Sequence, residues 1–193
     1  MERAESTALL RAAREGAPEA LDRLYAQVGG RLLALIRLRM GVTLRARVES
    51  RDILQATLLK SFERIEQFEG DTGGSLMAWL ARIAENEIRD RVDFDHRIRR
   101  DVAREAALEP AGATIASRQH SPLSMTILNE EADRLERAME RLEPPHREVI
   151  LLRKFEELSF REIAVRMGRS EDACRMLLAR ALAALTIELH RQP

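Results

Sequence analysis

Arg175, one helical turn beyond Glu171 and Asp172, is the residue whose type and setting point most directly to chemistry. A guanidinium on the outer face of a helix can bond both acceptors of a guanine edge, worth on the order of 1–3 kcal/mol of discrimination, and a neighbouring carboxylate can accept from cytosine N4. Arg169 and Arg180 lie better for phosphates, and Arg97, Arg99 and Arg100 form the densest basic cluster, for which phosphate contact is the natural use. Catalytic chemistry has no comparable support. The chain shows no nucleophile–base pair and no phosphate-cradling glycine loop. Its four histidines, His96, His120, His146 and His190, lack metal-ligand spacing, and a single cysteine, Cys174, excludes an internal disulfide. The expected activity is binding, with no catalysis, metal or cofactor.

Arg175 needs a scaffold, and residues 142–185 supply one with the spacing of a helix-turn-helix. With Phe160 in the first place of the motif, Ala164 is the small residue on which the second helix rests. Gly168 falls at the turn, where a positive φ is cheapest without a Cβ, and Cys174 points a small apolar side chain back into the core. Ser159 and Glu162 form an S-x-x-E capping box, and Ser170 is placed to cap the second helix. In this register Glu171, Asp172, Arg175, Met176 and Ala179 face outward, toward a major groove.

The rest of the chain reads as helix. Aromatic residues make up only 4% of it, and Ala, Leu, Arg and Glu dominate. Pro18 opens a helix carrying Leu21, Leu24, Tyr25 and Val28, and a second apolar face runs through Leu32, Leu33, Ile36 and Met40. Gly29-Gly30 either breaks or only softens this pair. A helix over 50–66 begins at Ser50 as its cap, with Ile53, Leu54, Leu58, Phe62 and Ile65 at three- and four-residue steps. A loop at 69–75 leads to the stripe Leu76, Trp79, Leu80, Ile83, Ala84 and Ile88, in which Trp79 reads as core. Periodicity fades from 104 to 127, where Pro, Gly, Ser and Thr accumulate. It returns with Leu128, Leu135, Ala138, Met139 and Leu142, breaks at Pro144-Pro145 and resumes with Val149, Ile150 and Leu152. The fold class is therefore all-α: two small helical domains, 1–103 and 128–193, joined by a flexible linker, 104–127, with the helix-turn-helix in the second. The linker is long enough to permit the two domains to close on each other, a closure that would hide the working faces of both.

Charge is the awkward feature of a DNA binder here, because 32 basic residues balance 32 acidic ones. Counted along the chain, 18 basic and 16 acidic residues fall in 1–100, 2 and 3 in 101–128, and 12 and 13 in 129–193, so any DNA affinity has to come from local patches. Such a chain is expected to bind DNA poorly alone and to need a large partner. No apolar run approaches the roughly 20 residues that cross a bilayer, and the N-terminus lacks a signal peptide's apolar centre, so membrane insertion is not expected and a cytoplasmic location is.

Three segments, in order, resemble bacterial RNA polymerase sigma factors of the sigma-70 family, extracytoplasmic-function type. Asp52, Gln55, Thr57, Lys60 and Phe62 match D-x-x-Q-x-T-F-L-[RK]-x-F, with Leu58 replacing the usual Phe. Ser75, Trp79, Leu80, Ile83, Ala84, Asn86 and Asp90 resemble S-F-x-x-W-L-x-x-I-A-x-N-x-x-x-D. Leu142, Pro144, Arg147, Glu148, Val149, Leu152, Glu157, Ser159, Glu162, Ile163, Ala164, Met167 and Gly168 match the segment leading into the reading helix. The resemblance covers nearly the whole chain. It implies partners in core RNA polymerase (the β′ clamp helices and the β flap), promoter DNA and an anti-sigma factor.

It also distributes roles. Asp52, Gln55, Leu58 and Lys60 are implied to bind core polymerase. Asp71, Ser75, Asn86, Arg89, Arg97, Arg99 and Arg100 are implied to handle −10 DNA, with a flipped base held at loop 69–75. Arg169, Ser170, Glu171, Asp172, Arg175, Met176 and Arg180 are implied to contact −35 DNA. Two usual basic positions of the reading helix are Leu177 and Leu182 here, which implies fewer phosphate contacts, and Asp93 and Asp95 interrupt the basic run after the Trp helix. The expected function is a sigma factor that binds core polymerase and directs promoter-specific initiation. The neutral charge and those leucines suit a rival: a sigma mimic that sequesters an anti-sigma factor without touching DNA. A helix-turn-helix regulator acting without polymerase would leave the match in 52–90 unexplained.

Overall fold

Pro18 supplies the fixed φ that starts a helix and lacks the N–H that a first turn leaves idle, and a 28-residue helix duly begins there. The computed structural model describes residues 8–13, 15, 17–69, 73–106 and 126–191. Its elements are α1 (8–13), α2 (Pro18–Arg45), α3 (Ser50–Glu63), a 3-10 turn (Ile65–Gln67), α4 (Gly73–Ala106), α5 (Thr126–Glu140), α6 (Pro144–Ile150), a π-helical turn (Leu151–Phe155), α7 (Phe160–Met167) and α8 (Glu171–His190). No strand occurs among the described residues.

Helix α2 runs unbroken through Gly29-Gly30. Each glycine costs about 1 kcal/mol of helix propensity relative to alanine, but Leu24, Val28, Leu32, Leu35 and Ile36 are buried around them, and each such side chain contributes roughly 1.5–3 kcal/mol. The kink comes instead at Gly41, whose φ of 66° and ψ of 169° lie outside the helical region.

Helices α3 and α4 pack on α2 and on each other. The buried face of α3 is Ile53, Thr57 and Ser61. Thr57 donates to the Ile53 carbonyl at 2.7 Å, Ser61 is 2.8 Å from the Leu58 carbonyl, and the Tyr25 hydroxyl of α2 lies 2.7 Å from Ser61 Oγ. Small side chains whose hydroxyls are satisfied within the helix let three helices approach closely. Phe62, expected in the apolar stripe, is instead 57% exposed. Ser50 is not the cap it was expected to be: Glu49 occupies that place in extended conformation, with no side-chain cap bond. Trp79 is half-buried, 5.1 Å from the buried Phe68 ring between centroids.

The second block packs α6 against α8, with α5 and α7 alongside. Pro144 and Pro145 begin α6, and its last turn widens so that the Glu156 N–H reaches the Leu151 carbonyl at 3.0 Å. That π turn buries Leu151 and Leu152 and also carries the Glu156 side chain inward. The two blocks touch, since α2 packs against α5 and against the π turn. Of the expected linker 104–127, residues 104–106 continue α4 and Thr126 opens α5; residues 107–125 lie outside the described residues.

Candidate nucleic-acid interface

Serine hydroxyls cap both helices of the helix-turn-helix. Ser159 Oγ accepts from the Glu162 N–H at 3.3 Å, while Glu162 Oε2 accepts from the Ser159 N–H at 2.7 Å. Ser159 Oγ also donates to Glu162 Oε2 at 2.6 Å, and this bond, with the one from the Ser159 N–H, holds the Glu162 carboxyl below the usual carboxylate range. Gly168 ends α7 in the left-handed region, φ 63° and ψ 39°, and Ser170 Oγ accepts from the Ala173 N–H at 3.2 Å to start α8. Cys174, Leu178, Ala181 and Leu185 form the buried stripe of α8, with Ile163 of α7 also buried.

The opposite face of α8 is open: Glu171, Asp172, Arg175, Met176, Ala179 and Arg180 are exposed, as are Arg169 and Ser170 before it. Arg175 does not wave freely. Its two terminal nitrogens bond Asp172 Oδ1 at 2.6 Å and Glu171 Oε2 at 3.0 Å, and its guanidinium lies 5.1 Å from the Phe160 ring centroid. Such exposed pairs are worth only tenths of a kcal/mol, so a base edge can replace them. Leu177 and Leu182 are half-buried and pack against the core, where lysine or arginine would lose that packing.

On α4, Arg89 donates to Asn86 Oδ1 at 3.2 Å, and both are exposed. On α3, Asp52, Gln55, Leu59 and Phe62 are exposed at steps of three, four and three, one stripe along the helix, with Leu59 at 61%. Leu59 and Phe62 thus set an apolar pair on the open side of α3, beside the polar Asp52 and Gln55.

A family profile described as Sigma-70 region 2 matches residues 24–98, and one described as Sigma-70, region 4 matches 132–185. The RNA polymerase sigma factor CarQ of Myxococcus xanthus is 31% identical over 163 residues, covering 84% of this chain and 85% of CarQ. The ECF RNA polymerase sigma factor BldN of Streptomyces coelicolor is 29% identical over 177 residues, covering 92% of this chain and 63% of BldN. This chain belongs to the sigma-70 family, among the extracytoplasmic-function factors. The sigma factor shares its fold with CnrH, solved in complex with the cytosolic domain of CnrY, at a TM-score of 0.57 and 22% identity over 98% of this chain and 99% of that one.

Several expected site residues of the sigma factor gather and others do not. Glu171, Asp172 and Arg175 form one cluster, and Asn86 and Arg89 another. Ser170 Oγ is engaged by its own helix. Lys60 forms an ion pair with Glu87 of α4, and Leu58 is half-buried against the core, whereas its neighbour Leu59 points outward. Arg97 donates to the Asp93 carbonyl of its own helix at 3.4 Å. Asp71 lies outside the described residues, and Ser75, Arg99 and Arg100 are placed on α4 by their backbone only. The packed blocks leave the exposed faces of α8 and α4 open, so contact between the blocks does not by itself hide both DNA faces. Sequence reasoning missed Leu59 as a surface residue. It also gave Phe160 only a place in the motif, whereas its ring meets two cations, the guanidiniums of Arg153 and Arg175, at 5.0 and 5.1 Å from its centroid. The adjacent leucines at 58 and 59 were the available signal, since one helix face cannot bury both.

Proposed function

We propose that this sigma factor joins core RNA polymerase through the Asp52, Gln55, Leu59 and Phe62 face of α3 and directs initiation at chosen promoters, reading −35 DNA with α8 and handling −10 DNA with α4. The observation that carries this reading is the capped helix-turn-helix, whose second helix presents Arg175 between two carboxylates on an exposed face. Arg175 bonds a guanine edge in bidentate fashion, Glu171 or Asp172 accepts from cytosine, Met176 adds apolar contact, and Arg169 and Arg180 hold phosphates. Asn86, Arg89, Arg97, Arg99 and Arg100, with Asp71 and Ser75 at the start of α4, serve the −10 element. The neutral net charge fits a factor held on DNA by its polymerase, working in the cytoplasm where that polymerase is. CnrH's complex with a cytosolic protein domain supports an anti-sigma factor as a further partner. Sequestration without DNA contact has lost one support, because Leu177 and Leu182 serve the core.

Run-off transcription with reconstituted core enzyme tests the reading. Arg175→Ala is expected to lower initiation from promoters with the native −35 sequence about fivefold to 150-fold, the 1–3 kcal/mol of one bidentate base contact, with core binding intact. Equal losses on every promoter would refute base reading by this residue.

A further inference from the structure

The charges that cancel in the composition meet each other at the junction of the two blocks. Arg39 of α2 reaches Glu156 at 2.8 Å, Glu148 at 3.0 Å and Glu85 of α4 at 3.3 Å. Arg166 of α7 reaches the same Glu85 at 2.6 Å and the same Glu156 at 3.4 Å. Arg39, Glu156, Arg166 and Glu85 thus alternate in sign around a closed ring that ties α2 and α4 of the first block to the π turn and α7 of the second. The Glu156 side chain is fully buried. Burial alone pulls the Arg39 pKa down, but the bonds from Glu148 and Glu156 and the field of Glu85 overcome it, and the guanidinium stays charged. Along α2 the pattern continues: Arg31 pairs with Glu157, Arg37 with Asp133 and Glu136, and Arg45 with Glu136 and Glu140. Four arginines of one helix therefore engage six acidic residues of the other block.

The function proposed above needs the same two blocks far apart. Elements centred at −10 and −35 are separated by about 25 base pairs, or roughly 85 Å of duplex at about 3.4 Å per step. A closed body of this length has a radius of gyration of about 16 Å and a diameter of roughly 40 Å. The closed form cannot span both elements.

We propose that the arginine face of α2 and the acidic face of the second block are two halves of one interaction surface, forming a latch that holds the free factor closed and must open before both promoter elements are engaged. The latch does not mask the DNA-facing side chains. It fixes their separation. Its partly buried pairs make it selective, since removing one member leaves buried charge without a counter-ion. Opening on polymerase requires contacts that replace them. The need for opening rests on the −10 and −35 assignment, while the latch itself can be tested without polymerase or promoter.

Energy transfer between dyes on cysteines placed at exposed Glu63 of α3 and Ala183 of α8 reports the separation in the full chain, with the buried Cys174 left in place. The wild type is expected to show one high-transfer population at 0.1 M salt. Arg39→Glu, which sets a fourth carboxylate among three, is expected to shift most molecules to low transfer. Because that site is partly buried, the double variant Arg37→Glu, Arg45→Glu decides if Arg39→Glu loses helix content by circular dichroism. Low transfer in the double variant with helix content retained supports the latch. Wild-type transfer in the double variant, or a wild type already at low transfer, overturns it. Neither result bears on whether the chain is a working sigma subunit, which transcription assays read separately.

Discussion

Gly168 offers the sharpest test of how the reading helix is aimed. Its φ of 63° and ψ of 39° belong to the left-handed region, where an L-residue with a Cβ costs about 1–2 kcal/mol. Nothing lies within 4 Å of the position a Cβ would take, so the penalty is the backbone's own, with no clash added. Gly168→Ala regains about 0.4–1 kcal/mol from the stiffer unfolded chain, leaving a net loss of about 1 kcal/mol. For a block of this size that corresponds to a melting temperature about 4–8 °C lower. Asparagine enters this region more readily, so Gly168→Asn is expected to lose less, and Gly168→Val, stiff at χ1, more. Urea titration of the chain, followed by far-ultraviolet circular dichroism, ranks the three. Equal stability of Gly168 and its alanine and valine variants would refute the left-handed turn, and with it the aim of α8.

The capping box should show in the pH profile: because Glu162 is held below the usual carboxylate range, its contribution is present at neutral pH and lost as pH falls through and below the ordinary glutamate pKa of about 4.3. Glu162→Gln is expected to flatten that part of the stability curve, and Ser159→Ala to cost about 1 kcal/mol at neutral pH; urea midpoints from pH 3 to 7 check both. The exposed stripe of α3 predicts that Leu59→Asp combined with Phe62→Asp lowers affinity for core polymerase at least tenfold while changing stability by no more than about 0.5 kcal/mol per site. Titration of labelled factor with core enzyme measures the first and thermal melting the second. Unchanged affinity would move the docking face elsewhere.

The helix-turn-helix was legible because its signals are local: a serine three residues before a glutamate, a glycine at the turn, a second serine before the next helix. Each acts within four residues, and each is found with its hydrogen bond or backbone angle in place. The face of α3 was misread for the opposite reason. Hydrophobicity assigned Phe62 to the core, but Thr57 and Ser61 fill it, because their hydroxyls bond carbonyls of their own helix and so carry little penalty for burial. Gly29-Gly30 drew attention by composition, yet the surrounding packing keeps it helical and the kink falls at the solitary Gly41. Nor can counting charges by segment find an arginine on α2 whose partners lie about a hundred residues away. That pairing exists only after the blocks meet. The leucines at 177 and 182, which read as missing phosphate contacts, are explained by the core they touch.

Initiation mapped on a promoter library, with core polymerase and this chain as the only added factor, tests the central claim most directly. The account predicts that the chain binds the core enzyme and yields discrete start sites sharing upstream sequence at −10 and −35, none of which core enzyme produces alone. A chain that fails to bind, or that binds and leaves the start-site distribution of core enzyme unchanged, would contradict it.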